Sequence, residues 1–165
     1  MSRGGTPWER SDKLALASLL LSIAAVLVTI APPVYRNFTE PSASISTPQD
    51  KEKVTGVHVS VAGESAHLGA DRDPWLILRP AGVDQYFPVQ LLTVQDDGSW
   101  SATTDYVTFG NVGEYRLLVY NADSESSAHF RTYIKKYEGN SAPPGIPSIP
   151  SGAVLLDSIT VTRTG

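Results

Sequence analysis

The side chains of this 165-residue chain that could do chemistry are few and far apart. His58, His67 and His129 fall at no spacing that converges two imidazoles on a metal, and no HExxH segment occurs. There is no cysteine, which removes disulfides, thiolate metal sites and thiol nucleophiles together. Serine nucleophiles come in recognisable settings, a Gly-x-Ser-x-Gly elbow or Ser-x-x-Lys, and neither is present. Asp71 and Asp73 flank Arg72, and Asp96-Asp97 precedes Gly98. Both groups offer oxygens to calcium, but neither has the spaced acidic loop that the ion requires, and Asp-Gly is first of all a turn. A pair of acids for glycoside hydrolysis needs a cleft that a small all-β domain does not promise. The expectation is a protein without catalytic activity, cofactor or metal.

Recognition is better represented. Trp75, Tyr86, Phe87 and Trp100 are rings on which a sugar could stack. Trp75 is followed by Leu76, Ile77 and Leu78 and reads as core, whereas Trp100 heads an alternating segment beneath the Tyr86-Phe87-Pro88 turn. The loop through Asp84 and Gln85 into Tyr86 and Phe87 is the one placed for contact. Asp84, Gln85, Tyr86, Phe87 and Trp100 are therefore the expected ligand- or partner-binding residues. The partner would be a protein or a cell-envelope polysaccharide. With 17 acidic against 13 basic residues and a net charge of −4, the chain lacks the basic stripe that nucleic acid demands.

Where these residues work depends on residues 14–31, LALASLLLSIAAVLVTIA, an uncharged run broken only by Ser18, Ser22 and Thr29. As a helix it would span roughly 27 Å, close to the hydrocarbon thickness of a bilayer. Lys13 closes it on one side and Pro32-Pro33 on the other. Arg3, Arg10 and Lys13 precede the run, while only Arg36 closely follows it. Positive charge stays inside, so the expected arrangement is a signal-anchor in the plasma membrane. Residues 1–13 would be a cytoplasmic tail, 14–31 the single transmembrane helix and everything beyond it extracytoplasmic. A cleaved signal peptide is the alternative, although its apolar core is normally shorter and Pro32 would adjoin the cut.

The remaining chain is long enough for one core. Residues 32–52, rich in Ser, Thr and Pro, read as a stalk, and 53–165 as the folded domain. Within it, VTGVHVSVA predicts a strand with Val57, Val59 and Val61 on one face, followed by a polar loop over 63–73. Further strands are expected over 75–79, 89–94, 100–107, 114–121 and 153–163, six in all. One helix is expected over about 125–137, capped by Asp123, with Phe130, Tyr133, Ile134 and Tyr137 on one face and Lys135 and Lys136 in its last turn. A Pro-rich linker, 141–152, then leads to the last strand. The fold class is mainly β, a sandwich with one accessory helix. Short spacings between strands fit an antiparallel arrangement.

Gly113-Glu114-Tyr115-Arg116-Leu117 resembles strand F of an immunoglobulin-like sandwich, whose tyrosine stands two positions before a bridging cysteine. The resemblance puts Leu117 and Val59 at the cysteine positions and Trp75 at the buried tryptophan of strand C. The helix and the long linker depart from that family. A second resemblance is to an uncharacterised extracytoplasmic domain of bacterial single-pass membrane proteins. It rests on WL-x-L-x-P from Trp75, the Tyr86-Phe87-Pro88 group, DG-x-W from Asp97 to Trp100, and the closing Val161-Thr162-Arg163. The second resemblance implies a sensor or adaptor-like module in bacteria, and the expected function of the chain is binding or sensing without catalysis. The alternatives are a carbohydrate-binding module at the envelope and a structural subunit of a membrane complex.

Overall fold

In the computed structural model, residues 40–104, 111–140 and 142–165 are described. The expected cytoplasmic tail and transmembrane helix lie outside them. No helix among the described residues is long and apolar enough to cross a membrane.

The unit running from Pro41 to Gly165 is mainly β, with two sheets and one helix. Its strands are β1 (Ser42–Thr47), β2 (Glu52–Thr55), β3 (Ser60–Ala66), β4 (Asp73–Pro80), β5 (Phe87–Leu91), β6 (Ser99–Thr103), β7 (Gly113–Ala122) and β8 (Ala153–Thr164). The helix, α1 (Ser124–Lys136), lies between β7 and β8. One sheet has the order β1-β3-β6 and the other β2-β8-β7-β4-β5. All described pairings are antiparallel except β2 with β8, which run parallel.

Alternation along the strands makes two apolar layers. Leu76 and Leu78 of β4, Leu117 and Val119 of β7, and Ile159 and Val161 of β8 face Ile45, Val61, Trp100 and Ala102 of the smaller sheet. This shared core is what stacks the sheets in the manner of a β-sandwich. Each fully buried aliphatic chain contributes about 1.5–3 kcal/mol. On the other face of the larger sheet, Trp75, Ile77, Leu118 and Ala122 lie under Phe130 and Tyr133 of α1, with Ile146 of the Pro-rich linker beside them.

Five expectations change. The stalk does not extend through residue 52: β1 occupies its middle, and Ile45 is in the shared core. VTGVHVSVA is not one strand. The chain turns at Gly56, where φ is +91°, so Val54 belongs to one sheet and Val61 to the other. Val57 is consequently exposed rather than facing inward with Val59 and Val61. The predicted polar loop begins with strand, because β3 runs to Ala66 and uses Gly63 and Ser65 as its inward positions. Gly63 is small because the Trp100 indole lies against it; a Cβ there would stand 2.5 Å from Trp100 Cζ2. Finally, Trp75 is buried beneath α1 and not between the sheets. The inter-sheet positions of β4 are Leu76 and Leu78, one residue out of step with the immunoglobulin-like resemblance.

The helix forms where its signals lie. Asp123 caps it, accepting a hydrogen bond from the Ser126 amide at 2.8 Å, and Tyr137 closes it. Its seat on the sheet is polar as well as apolar. Trp75 Nε1 donates to Ser127 Oγ at 3.1 Å, Ser127 in turn donates to Asp73, and Arg131 reaches the same Asp73 carboxylate at 2.8 Å.

Candidate functional site

The β4–β5 connection carries three of the five expected contact residues and Phe87 begins β5 directly after it, and its neighbours hold it at three points. Arg79, at the end of β4, pairs with Asp84 at 2.9 Å. Tyr86 exchanges two backbone hydrogen bonds with Ile146, at 2.9 and 2.8 Å, so the Pro-rich linker is fastened along the edge of the larger sheet. Gly145 makes that approach possible, since a Cβ there would come within 2.7 Å of Gln85 Cβ and 3.0 Å of the Phe87 ring. At the tip, Gly82 has φ +73° and the Ala81 amide donates to the Glu114 carbonyl at 2.9 Å.

The five expected residues do not form one surface. Asp84 and Gln85 are exposed, and Asp84 is held through Arg79. Tyr86 is half-buried, its ring under the Arg79 guanidinium at 5.0 Å. Phe87 starts β5 and packs against the shared core. Trp100 is 3% exposed, inside that core, on the other sheet. Burial removes Trp100 as a contact residue, and its Nε1 has no hydrogen-bond partner among the described residues.

Two further residues enter the site from the strand register. Arg79 of β4 stands opposite Arg116 of β7. Both lie on the face that α1 covers farther along the sheet, beyond the helix's apolar seat. With residues 80–84 they line an open cleft of about 260 Å³. Tyr120, on the same face, feels the whole group. Burial pushes its phenol above the ordinary value and Tyr86 adds to this, while Arg79 and Arg116 pull the other way. No alternation rule finds this pair. WLILR and EYRLL each show one outward arginine, but their meeting is a matter of register.

The remaining candidates are held in local roles. Asp97 accepts hydrogen bonds from the Ser99 amide and hydroxyl, at 2.9 and 2.6 Å, and these hold its carboxyl below the usual range. Asp73 is engaged under the helix. Among the described residues no three His, Asp or Glu side chains gather as metal ligands. Two guanidinium groups beside an open cleft suit an anion instead.

No family model matches this chain. No curated protein matches it either. Among solved structures, the crystal structure of an engineered protein is 12% identical, with 76% of this chain and 20% of that one covered and a TM-score of 0.41. The chain thus spans a fifth of that protein's length. A likeness of that degree carries no argument, so function rests on the geometry of the site.

Proposed function

We propose that this chain is a membrane-anchored, extracytoplasmic binding or sensing module that performs no catalysis, with residues 81–86 as its contact surface. The observation that carries this is the fixed β4–β5 connection. An ion pair, a two-bond bridge to the linker and a close glycine contact immobilise a loop that still presents Asp84 and Gln85 outward. A preformed surface loses little conformational entropy when a partner arrives. The apolar run at 14–31 and the positive charge before it support the anchor and its orientation.

The module is read as immunoglobulin-like. Support comes from the strand order and from Tyr115, whose hydroxyl donates to the Asn111 carbonyl at 2.7 Å and accepts from the Asn111 amide at 3.1 Å. Such a tyrosine corner at the start of a strand is a mark of that architecture. Sugar stacking on tryptophan, the form a carbohydrate-binding module would take, finds neither Trp75 nor Trp100 at the surface.

Two measurements test this function. A tag after Gly165 should be removed by protease from intact cells; protection until the membrane is opened would reverse the orientation. The detergent-solubilised full chain should co-sediment with envelope fragments, and Gln85→Ala with Tyr86→Ala should abolish retention by a chain that still unfolds cooperatively. Unchanged retention would remove the loop from recognition.

A further inference from the structure

Arg79 and Arg116 face one another across the β4–β7 ladder, an arrangement that repels unless something lies between or beside the charges. The fold treats the two differently. Asp84 neutralises Arg79 at 2.9 Å, with the Asp84 side chain itself 90% exposed. Arg116 has no carboxylate partner among the described residues and reaches only Ser158 Oγ, at 3.4 Å. Glu114 is exposed on the same face two positions earlier in β7, so the surroundings are mixed in sign and the positive charge is confined to the cleft.

A guanidinium presents paired N–H donors that match the oxygens of a carboxylate or phosphate. In the Arg79–Asp84 pair one such oxygen is already in place, supplied by the chain's own turn. The Arg116 donors offer a second position in the same 260 Å³ space. Around it lie the turn from Pro80 to Asp84, with the ring of Pro80 and the exposed Val83 side chain as its apolar part, and the Tyr86 ring stands against the Arg79 guanidinium. That mixture of hydrogen-bonding and apolar wall suits a sugar carrying an acid better than a bare ion. We propose that the cleft between Arg79 and Arg116 binds the oxyanion of an acidic saccharide, with Arg116 as its principal contact and Asp84 as an internal competitor. The proposal rests on the outward-facing binding module described above and names its ligand class.

Calorimetric titration of the detergent-solubilised full chain tests it, with trigalacturonate, neutral galactotriose and inorganic phosphate as ligands. Trigalacturonate should bind about tenfold more tightly than either of the others, and its affinity should fall as salt rises. Arg116→Gln should weaken it about tenfold, the loss of one charge-assisted contact. Asp84→Asn should strengthen it by freeing Arg79. The Arg116→Gln melting temperature should match or exceed that of the unsubstituted chain, because the substitution relieves like-charge repulsion; a structural arginine would show a fall.

Absence of trigalacturonate binding overturns the proposal, as does galactotriose binding equally well. Phosphate binding as tightly as trigalacturonate would reduce the site to a bare-ion site and overturn the saccharide. Weaker binding by Asp84→Asn would mean that the ligand reads Asp84 instead of the arginines. If the titrations fail while Gln85→Ala with Tyr86→Ala still abolishes envelope retention, only the ligand class falls. If retention survives those substitutions, the binding surface itself is elsewhere.

Discussion

A methyl group added at Gly63 would collide with the Ser44 carbonyl oxygen and stand 2.5 Å from Trp100 Cζ2. Backbone on one side and a buried indole on the other leave nowhere for it to go. Gly63→Ala is expected to cost about 3 kcal/mol, the upper range for overpacking, measured by urea denaturation. Tyr133 argues in the opposite direction. Its side chain is 7% exposed, its hydroxyl has no hydrogen-bond partner among the described residues, and burial, with Tyr137 adding to it, pushes the phenol up to about 12. Removing an unsatisfied buried polar atom relieves its desolvation cost, so Tyr133→Phe should stabilise the domain by about 1 kcal/mol in the same assay. An equal or lower stability would mean that the hydroxyl is satisfied in solution.

The elements differ in what holds them, and α1 is fastened through the carboxylates of Asp73 and Asp123. Burial alone would raise Asp73, but hydrogen bonds from Ser127 and Arg131, together with the Arg131 charge, outweigh it and hold the carboxyl below its ordinary value. Asp123 at the cap is lowered by its bonds from Ser126. Depressed folded values mean that the stabilisation is full above the unfolded value of about 4 and is lost as pH falls through the folded values. Helix docking should therefore loosen below about pH 4. Trp75 fluorescence should report it, and Asp73→Asn should flatten the transition. Acid leaving Trp75 emission unchanged would show that the apolar seat suffices. The helix was legible in sequence because its cap, its apolar spacing and its terminal lysines agree. β1 and the far half of β3 were not, because their inward positions are filled by Ala43, Ile45, Gly63 and Ser65, which make a faint period-two signal. The Tyr86 loop was legible as a turn bearing aromatics. Arg79 and Arg116 were not legible as a pair, since only strand register joins residues that far apart in sequence.

At the scale of the molecule, the two ends of the described domain complete each other. β2 pairs with the last residues of β8, from Val161 to Thr164 opposite Glu52 to Thr55, and Val161 is fully buried. Truncation after Thr160 removes that pairing and takes Val161 out of the shared core. It should convert a single cooperative unfolding transition into a broad one in thermal circular dichroism. A sharp transition at the original temperature would show that the core closes without its final strand. Contacts between such distant segments also delay folding until the carboxyl end is available.

Because β2 and β8 lie parallel, tension drawn between the amino side of one and the carboxyl side of the other would act along their shared ladder. The four facing residue pairs, together with the 2.6 Å bond from the Lys51 amide to the Thr160 carbonyl, would be loaded together in shear instead of peeled apart one by one. A pull between the amino side of the domain and its carboxyl end would thus meet a brace built from those same two ends.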